Sequence, residues 1–276
     1  MRSRRGDPSS RTARAVATWL LLLLALAPVG AGAARIPGVG PDGTATVPPF
    51  GVGETLVFEL KYGFIAAGDA VMMIQELATE RGRLCYHIVS VAESKPFFSV
   101  FFRVRDVAES YMDVRDLVSL RFEKHIQEGD FRSDDVALFD QDRHVALYPK
   151  RDQLVPLSLA AQDILSSLYY VRMMDLEVGG SVSIENHADK KNYPLEIQVL
   201  RRERVDVPAG TFDCVVVEPK LKGAGLFRHS GRLWVWLTDD ERHLPVLMKS
   251  KVIIGSVAAV LTDYRLAPDD GSGKEN

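Results

Sequence analysis

Three consecutive carboxylates, Asp239-Asp240-Glu241, and six histidines at positions 87, 125, 144, 187, 229 and 243 are suited by type to acid–base or metal chemistry. Their spacing argues against both. A glycosidase pair needs two carboxyls opposed across a substrate, whereas these are adjacent, lie between Thr238 and Pro245, and suit a solvated turn. None of the histidines stands in an H-E-x-x-H or Cys–His arrangement, so no metal centre is predicted. Ser230 lies in Arg228-His229-Ser230-Gly231-Arg232, which lacks the glycine two residues earlier that a nucleophile elbow requires. Gly38 to Gly43 formally match G-x-G-x-x-G, but no strand precedes them, no helix follows and Pro41 stiffens the loop, so no dinucleotide site is read there. No catalytic residue, metal or cofactor is assigned, and the chain is read as non-enzymatic.

Apolar and sulfur-bearing residues offer more. Phe97, Phe98, Phe101 and Phe102 are two consecutive pairs just after Pro96, and Trp234 and Trp236 sit in Leu233-Trp234-Val235-Trp236-Leu237. Neighbouring residues on a strand point to opposite faces, so such runs must cover a second apolar surface or present rings to a ligand. These six aromatics are the candidate ligand-binding residues, with a loop folded over a barrel end as the competing reading. Arg103, Arg105, Asp106 and Glu109 are predicted to form cross-strand ion pairs, with an anionic head group as the alternative. Cys85 and Cys214 fall inside predicted strands. A disulfide between them would close a long loop and add about 2–5 kcal/mol, and two buried thiols is the other reading.

The compartment follows from the N-terminus. Residues 1–33 combine five arginines, the apolar run Val16 to Ala27 and the small-residue motif Ala31-Gly32-Ala33, the three parts of a cleaved signal peptide. No cysteine stands at the cleavage point, so a soluble periplasmic product beginning near Ala34 is expected, without a transmembrane anchor. The net charge of −3 falls to about −7 without this segment, and basic residues are interspersed with acidic ones, so nucleic acid is excluded as a partner.

Residues 34–50, rich in Gly, Pro and Thr, are read as a flexible leader, 51–267 as a single β domain and 268–276 as a disordered tail. Leu56, Phe58, Leu60 and Tyr62 alternate with Glu59 and Lys61, the pattern of a strand with one buried face. Similar runs are predicted at 66–75, 84–92, 101–111, 117–127, 131–139, 144–148, 181–186, 193–203, 212–218, 232–238, 246–254 and 257–266, with hairpin turns at Glu128-Gly129-Asp130 and Gly255-Ser256. A helix capped by Asp163 and running to Met174 is the principal exception.

Tyr62-Gly63-Phe64-Ile65-Ala66-Ala67-Gly68, Phe102-Arg103-Val104-Arg105-Asp106, Leu120-Arg121-Phe122-Glu123-Lys124 and Val207-Pro208-Ala209-Gly210-Thr211-Phe212-Asp213-Cys214 resemble an exported bacterial family, the domain of unknown function numbered thirty-one hundred and eight, over Gly51 to about Leu266. The segment Trp236 to Val246 is more distantly similar to periplasmic lipoprotein carriers, which implies a half-closed barrel plugged by helix around an apolar cavity. The expected fold is all-β and mainly antiparallel, a strongly curved sheet or open barrel with one principal plugging helix. The expected function is binding of a lipid-like molecule or an envelope-protein segment. An envelope scaffold with a filled core and a hydrolase of envelope polymers are the alternatives.

Overall fold

The computed structural model describes residues 47–100, 102–221, 232–251 and 255–268, and its 14 strands form one antiparallel sheet. β1 (Thr55–Tyr62), β2 (Ile65–Glu80), β3 (Arg83–Ser94), β4 (Arg105–Asp113), β5 (Ser119–Glu128), β6 (Phe131–Asp140), β7 (Val145–Tyr148) and β8 (Gln153–Pro156) make one meander. A second consists of β9 (Ser181–Ala188), β10 (Lys191–Val207), β11 (Gly210–Leu221), β12 (Leu233–Thr238), β13 (Pro245–Lys251) and β14 (Ser256–Arg265). The two join where β1 pairs with β14, from Thr55 opposite Arg265 to Tyr62 opposite Val257. Both edges of the sheet, β8 and β9, therefore fall in the middle of the chain.

Alternation curls this sheet into an open barrel. Leu56, Phe58 and Leu60 of β1, Ile88 and Ala92 of β3, and Leu233, Val235 and Leu237 of β12 share one inner core. Bulges sharpen the bend, one of them where Leu60 faces Gly68 but Lys61 faces Ala66. Gly68 has no room for a side chain there, since a Cβ would meet the Glu93 carbonyl oxygen at 2.5 Å.

The predicted plug is α2 (Ile164–Val171), every residue of which is buried; the other helix, α1 (Pro96–Ser99), lies between β3 and β4. Asp163 caps α2 as its sequence implies. One carboxylate oxygen accepts from Leu165 N at 2.8 Å and Ser166 N at 3.0 Å, and the other from the hydroxyls of Ser110 and Ser119, both at 2.5 Å. Burial raises the pKa of Asp163, and these four donors oppose the rise. Just past α2, Arg172 makes a buried bidentate pair with Glu54 at 2.6 and 2.8 Å, and its Nε donates to the Arg242 carbonyl at 3.1 Å. Its guanidinium also lies over the rings of Phe50 and Tyr169. Glu54 precedes β1 and Arg242 lies between β12 and β13, so α2 closes the barrel end opposite the β1–β2, β3–β4 and β5–β6 turns.

Several expectations need correction. Phe50, assigned to the leader, belongs to the core, where its ring meets Tyr169 edge-on at a centroid distance of 5.0 Å. β8 was not expected, because Leu154-Val155 is too short an apolar run before Pro156 to register as a strand. β4 starts at Arg105 rather than at residue 101, since Pro96 opens α1 instead. Cys85 and Cys214 are free thiols. They sit in separate clusters on the outer face, Cys85 with Val118 and Leu120 and Cys214 with Val216, Trp236 and Val246. Five strands separate β3 from β11, too far for a disulfide. Burial pushes their pKa values up to about 11 and about 12, so both stay protonated. Residues 1–33, read as a signal peptide, and residues 269–276 lie outside the described residues.

Candidate binding cavity

Residues at every second position of β5 and β6 face inward: Phe122, Lys124, Ile126 and Glu128 on one, Phe131, Ser133, Asp135, Ala137 and Phe139 on the other. Opposite them stand His187, Ala188 and Asp189 at the end of β9, with Tyr148 of β7 beside them. Ile164, the first residue of α2, makes the floor. Together these residues enclose a cavity of about 270 Å³, near the lower end of the range for small-ligand sites. Register places its depth, since Glu128 faces Phe131 at the turn end and Phe122 faces Ala137 further in. The floor is therefore apolar and the mouth charged.

β8 and β9 do not pair, and side chains and a short segment close the gap between them. Gln162 donates from its N to the Glu185 carbonyl, and His187 N donates to the Gln162 carbonyl, both at 2.8 Å. Asn192 Oδ1 accepts from Ser158 N at 3.2 Å, while its Nδ2 donates to the Pro156 carbonyl at 3.1 Å. That orientation makes Asn192 Oδ1 the acceptor for His187 Nδ1 at 2.7 Å, leaving Nε2 to accept from the Tyr148 hydroxyl at 3.0 Å. His187 is thus a neutral wall residue, and burial lowers its pKa accordingly.

Two charges bridge the mouth. Lys124 Nζ on β5 reaches Asp189 Oδ1 in the β9–β10 turn at 3.0 Å. Asp189 and Lys190 have φ of 45° and 67°, two left-handed residues in succession without a glycine. A hairpin turn of this kind is normally Asn-Gly, and each non-glycine residue costs about 1 kcal/mol. The Tyr148 hydroxyl accepts from Lys190 N at 2.9 Å and pins the turn, so backbone strain is spent on holding Asp189 over the opening.

Asp106 lies behind the same wall. Its Oδ1 accepts from Gln127 N at 3.0 Å, while its buried Oδ2 has no hydrogen-bond partner. Burial, with Glu128 nearby, raises its pKa to about 7. This corrects the expectation of a surface ion-pair row. Arg105 pairs with Glu93 at 3.0 Å and Glu109 with His87 at 2.7 Å on the outer face, but Asp106 has the opposite parity and points inward. Among the described residues no three His, Cys, Asp or Glu side chains gather as metal ligands. Asp239 to Glu241 form a turn, with Asp240 accepting from Thr238 Oγ1 at 2.6 Å.

The aromatic residues singled out by sequence are dispersed. Phe97 is exposed on α1, edge-on to Phe98 at 5.6 Å, and Phe98 is half-buried. The half-buried Phe102 packs on Gly129, where an added Cβ would lie 3.0 Å from its ring. Phe101 is outside the described residues. Trp234 lies on the outer face under the Arg232 guanidinium, and Trp236 is buried beside Cys214. None of the described five lines the cavity, and four strands separate β12 from β3, the strand before the phenylalanine connection. Phe102 comes nearest, through the β5–β6 turn. The actual lining was missed because Lys124, Ser133 and Asp135 give β5 and β6 inner faces as polar as their outer ones.

Among solved structures similar to this chain, one supports its architecture. A beta-barrel-like protein of domain of unknown function DUF1849 from Brucella abortus superposes with a TM-score of 0.52 at 9% identity, over 79% of this chain and 99% of that one. That likeness supports the barrel fold. A "putative lipoprotein" from Parabacteroides distasonis gives 0.36 at 11% identity, covering 79% and 99%. A "putative exported protein" with YmcC-like fold from Bacteroides fragilis gives 0.30 at 12%, covering 79% and 97%. No curated protein matches in sequence. The family model described as "Protein of unknown function (DUF3108)" matches residues 57–262.

Proposed function

We propose that this chain, which belongs to the DUF3108 family of proteins of unknown function, is an exported, non-enzymatic protein that holds an amphipathic molecule in the cavity between β5, β6 and β9. One observation carries the reading: an apolar floor of Phe122, Phe139 and Ile164 lies beneath a mouth spanned by Lys124 and Asp189. A short acyl or similarly slim apolar group fits about 270 Å³, and Lys124 offers its ammonium to an anionic head once it leaves Asp189. Residues 1–33 support export, with cleavage near Ala34 placing the protein in the periplasm. No described helix is long and apolar enough to cross a membrane.

Calorimetric titration with decanoate tests this. Ser133 is half-buried on the cavity wall, so Ser133→Phe should fill the space and weaken binding at least tenfold without loss of stability. A wild-type protein with no decanoate affinity, stabilised by Ser133→Phe, would instead favour an envelope scaffold. The specific support for that second reading is the rest of the interior, which a continuous core from Phe50 to Leu261 already fills.

A further inference from the structure

Apolar side chains stand exposed on successive turns at the barrel end opposite α2. Phe64 in the β1–β2 turn is 105% exposed and Ile65 beside it 56%, Phe97 and Val100 between β3 and β4 are 72% and 80%, and Phe131 after the β5–β6 turn is 46%. The three connections are neighbours. Lys95 N donates to the Ala67 carbonyl at 2.9 Å and Gly129 N to the Arg103 carbonyl at 2.7 Å, tying each to the next. Burial is the usual fate of such residues, and a row of them on one rim marks a docking surface.

We propose that this rim docks on an anionic lipid bilayer, with Phe64, Phe97, Val100 and Phe131 entering the head-group region. Two observations select a bilayer over a protein partner. The side chains stand on separate turn tips rather than along a groove, the arrangement that lets aromatic rings sit at the membrane–water boundary without a complementary surface. Charge is also sorted by end. In the described connections six basic residues stand against three acidic ones at this rim, while at the α2 end eight acidic stand against five basic. In a chain of net negative charge, the basic excess falls at the end that carries the apolar tips, as attraction to anionic head groups requires. The surface stands whatever the cavity holds, but Phe131 belongs to both, so a molecule leaving the bilayer meets the cavity mouth directly.

The test uses protein recovered from the extracytoplasmic fraction and vesicles of phosphatidylethanolamine and phosphatidylglycerol. Wild type should co-sediment with them, the double variant Phe64→Ser/Phe97→Ser should partition at least tenfold less, and Ser133→Phe should bind vesicles as wild type does while losing decanoate. Because Phe64 and Phe97 are exposed, their replacement should leave the melting temperature unchanged. Independently of any stability effect, Phe64→Trp should add a fluorescence component that brominated lipids quench. Equal partition of wild type and double variant, or no quenching of the new tryptophan, overturns the proposal. So does a concentration-dependent dimer abolished by the double variant in a protein that ignores vesicles, which would assign the rim to a second copy of the chain.

Discussion

Asp106 is a carboxyl whose environment moves it far from its ordinary chemistry. Its pKa is raised to about 7 from an unfolded value near 3.8, so the folded state binds a proton over that interval that the unfolded state has released. Stability contributed by this group is therefore present in full at low pH and is lost as pH rises through about 7. Asn at this position keeps an acceptor for Gln127 N and stays neutral. Asp106→Asn should consequently be more stable than wild type at pH 8, and the gap should shrink as pH falls toward 5. Urea midpoints at the two pH values measure this, and a gap independent of pH would show that Asp106 is ionised throughout. Little of this was visible in the sequence, where Asp106 sits among alternating charges and reads as one more surface ion. Parity alone gave the warning. Arg105 and Asp106 are adjacent and cannot share a face, and only the inner position is buried.

At the scale of the element, α2 is held less by its own eight residues than by what Asp163 gathers. The carboxylate ties two helix amides to hydroxyls on β4 and β5, so removing it orphans donors in the interior. Asp163→Ala should cost about 2–4 kcal/mol, a lost cap plus unsatisfied buried polar groups. Asp163→Asn, which keeps the acceptor for the helix amides, should cost less. Urea denaturation of both variants decides, and a loss below about 1 kcal/mol for the alanine variant would mean that packing alone seats the plug. The helix and its cap were legible because Asp163 precedes Ile164, Leu165 and Leu168 at helical spacing. Most strands were legible for the same reason, their apolar period of two. The cavity was not, since its walls come from β5, β6 and β9, some 60 residues apart in sequence (Lys124 and Asp189 are 65 apart). No local pattern encodes that two segments with mixed inner faces will meet across a gap. The phenylalanine cluster was legible as an apolar excess, but burial and exposure look alike in sequence, and Phe97 and Phe102 took different fates.

For the whole molecule, the pairing of β1 with β14 joins residues 210 apart, Thr55 and Arg265. Closing so long a stretch of chain is entropically costly, so this seam should form after the two meanders rather than before them. Leu261, buried opposite Phe58, reports on it. Leu261→Ala should destabilise by about 2–5 kcal/mol, with the change falling on the unfolding rate and the folding rate nearly unaltered. Stopped-flow chevrons would show this, and a matching drop in folding rate would place the seam in the nucleus instead.

If the chain is exported as proposed, that late seam matters while it is threaded through a membrane from its N-terminus. β1 would reach the far side early and wait with one backbone edge bare until the final hairpin arrives. A long unpaired strand bearing Leu56, Phe58 and Leu60 on one face is a template for wrong partners. On the proposed export, the connectivity that puts both sheet edges in the middle of the finished chain would thus leave the emerging one in need of a holdase until β14 has crossed.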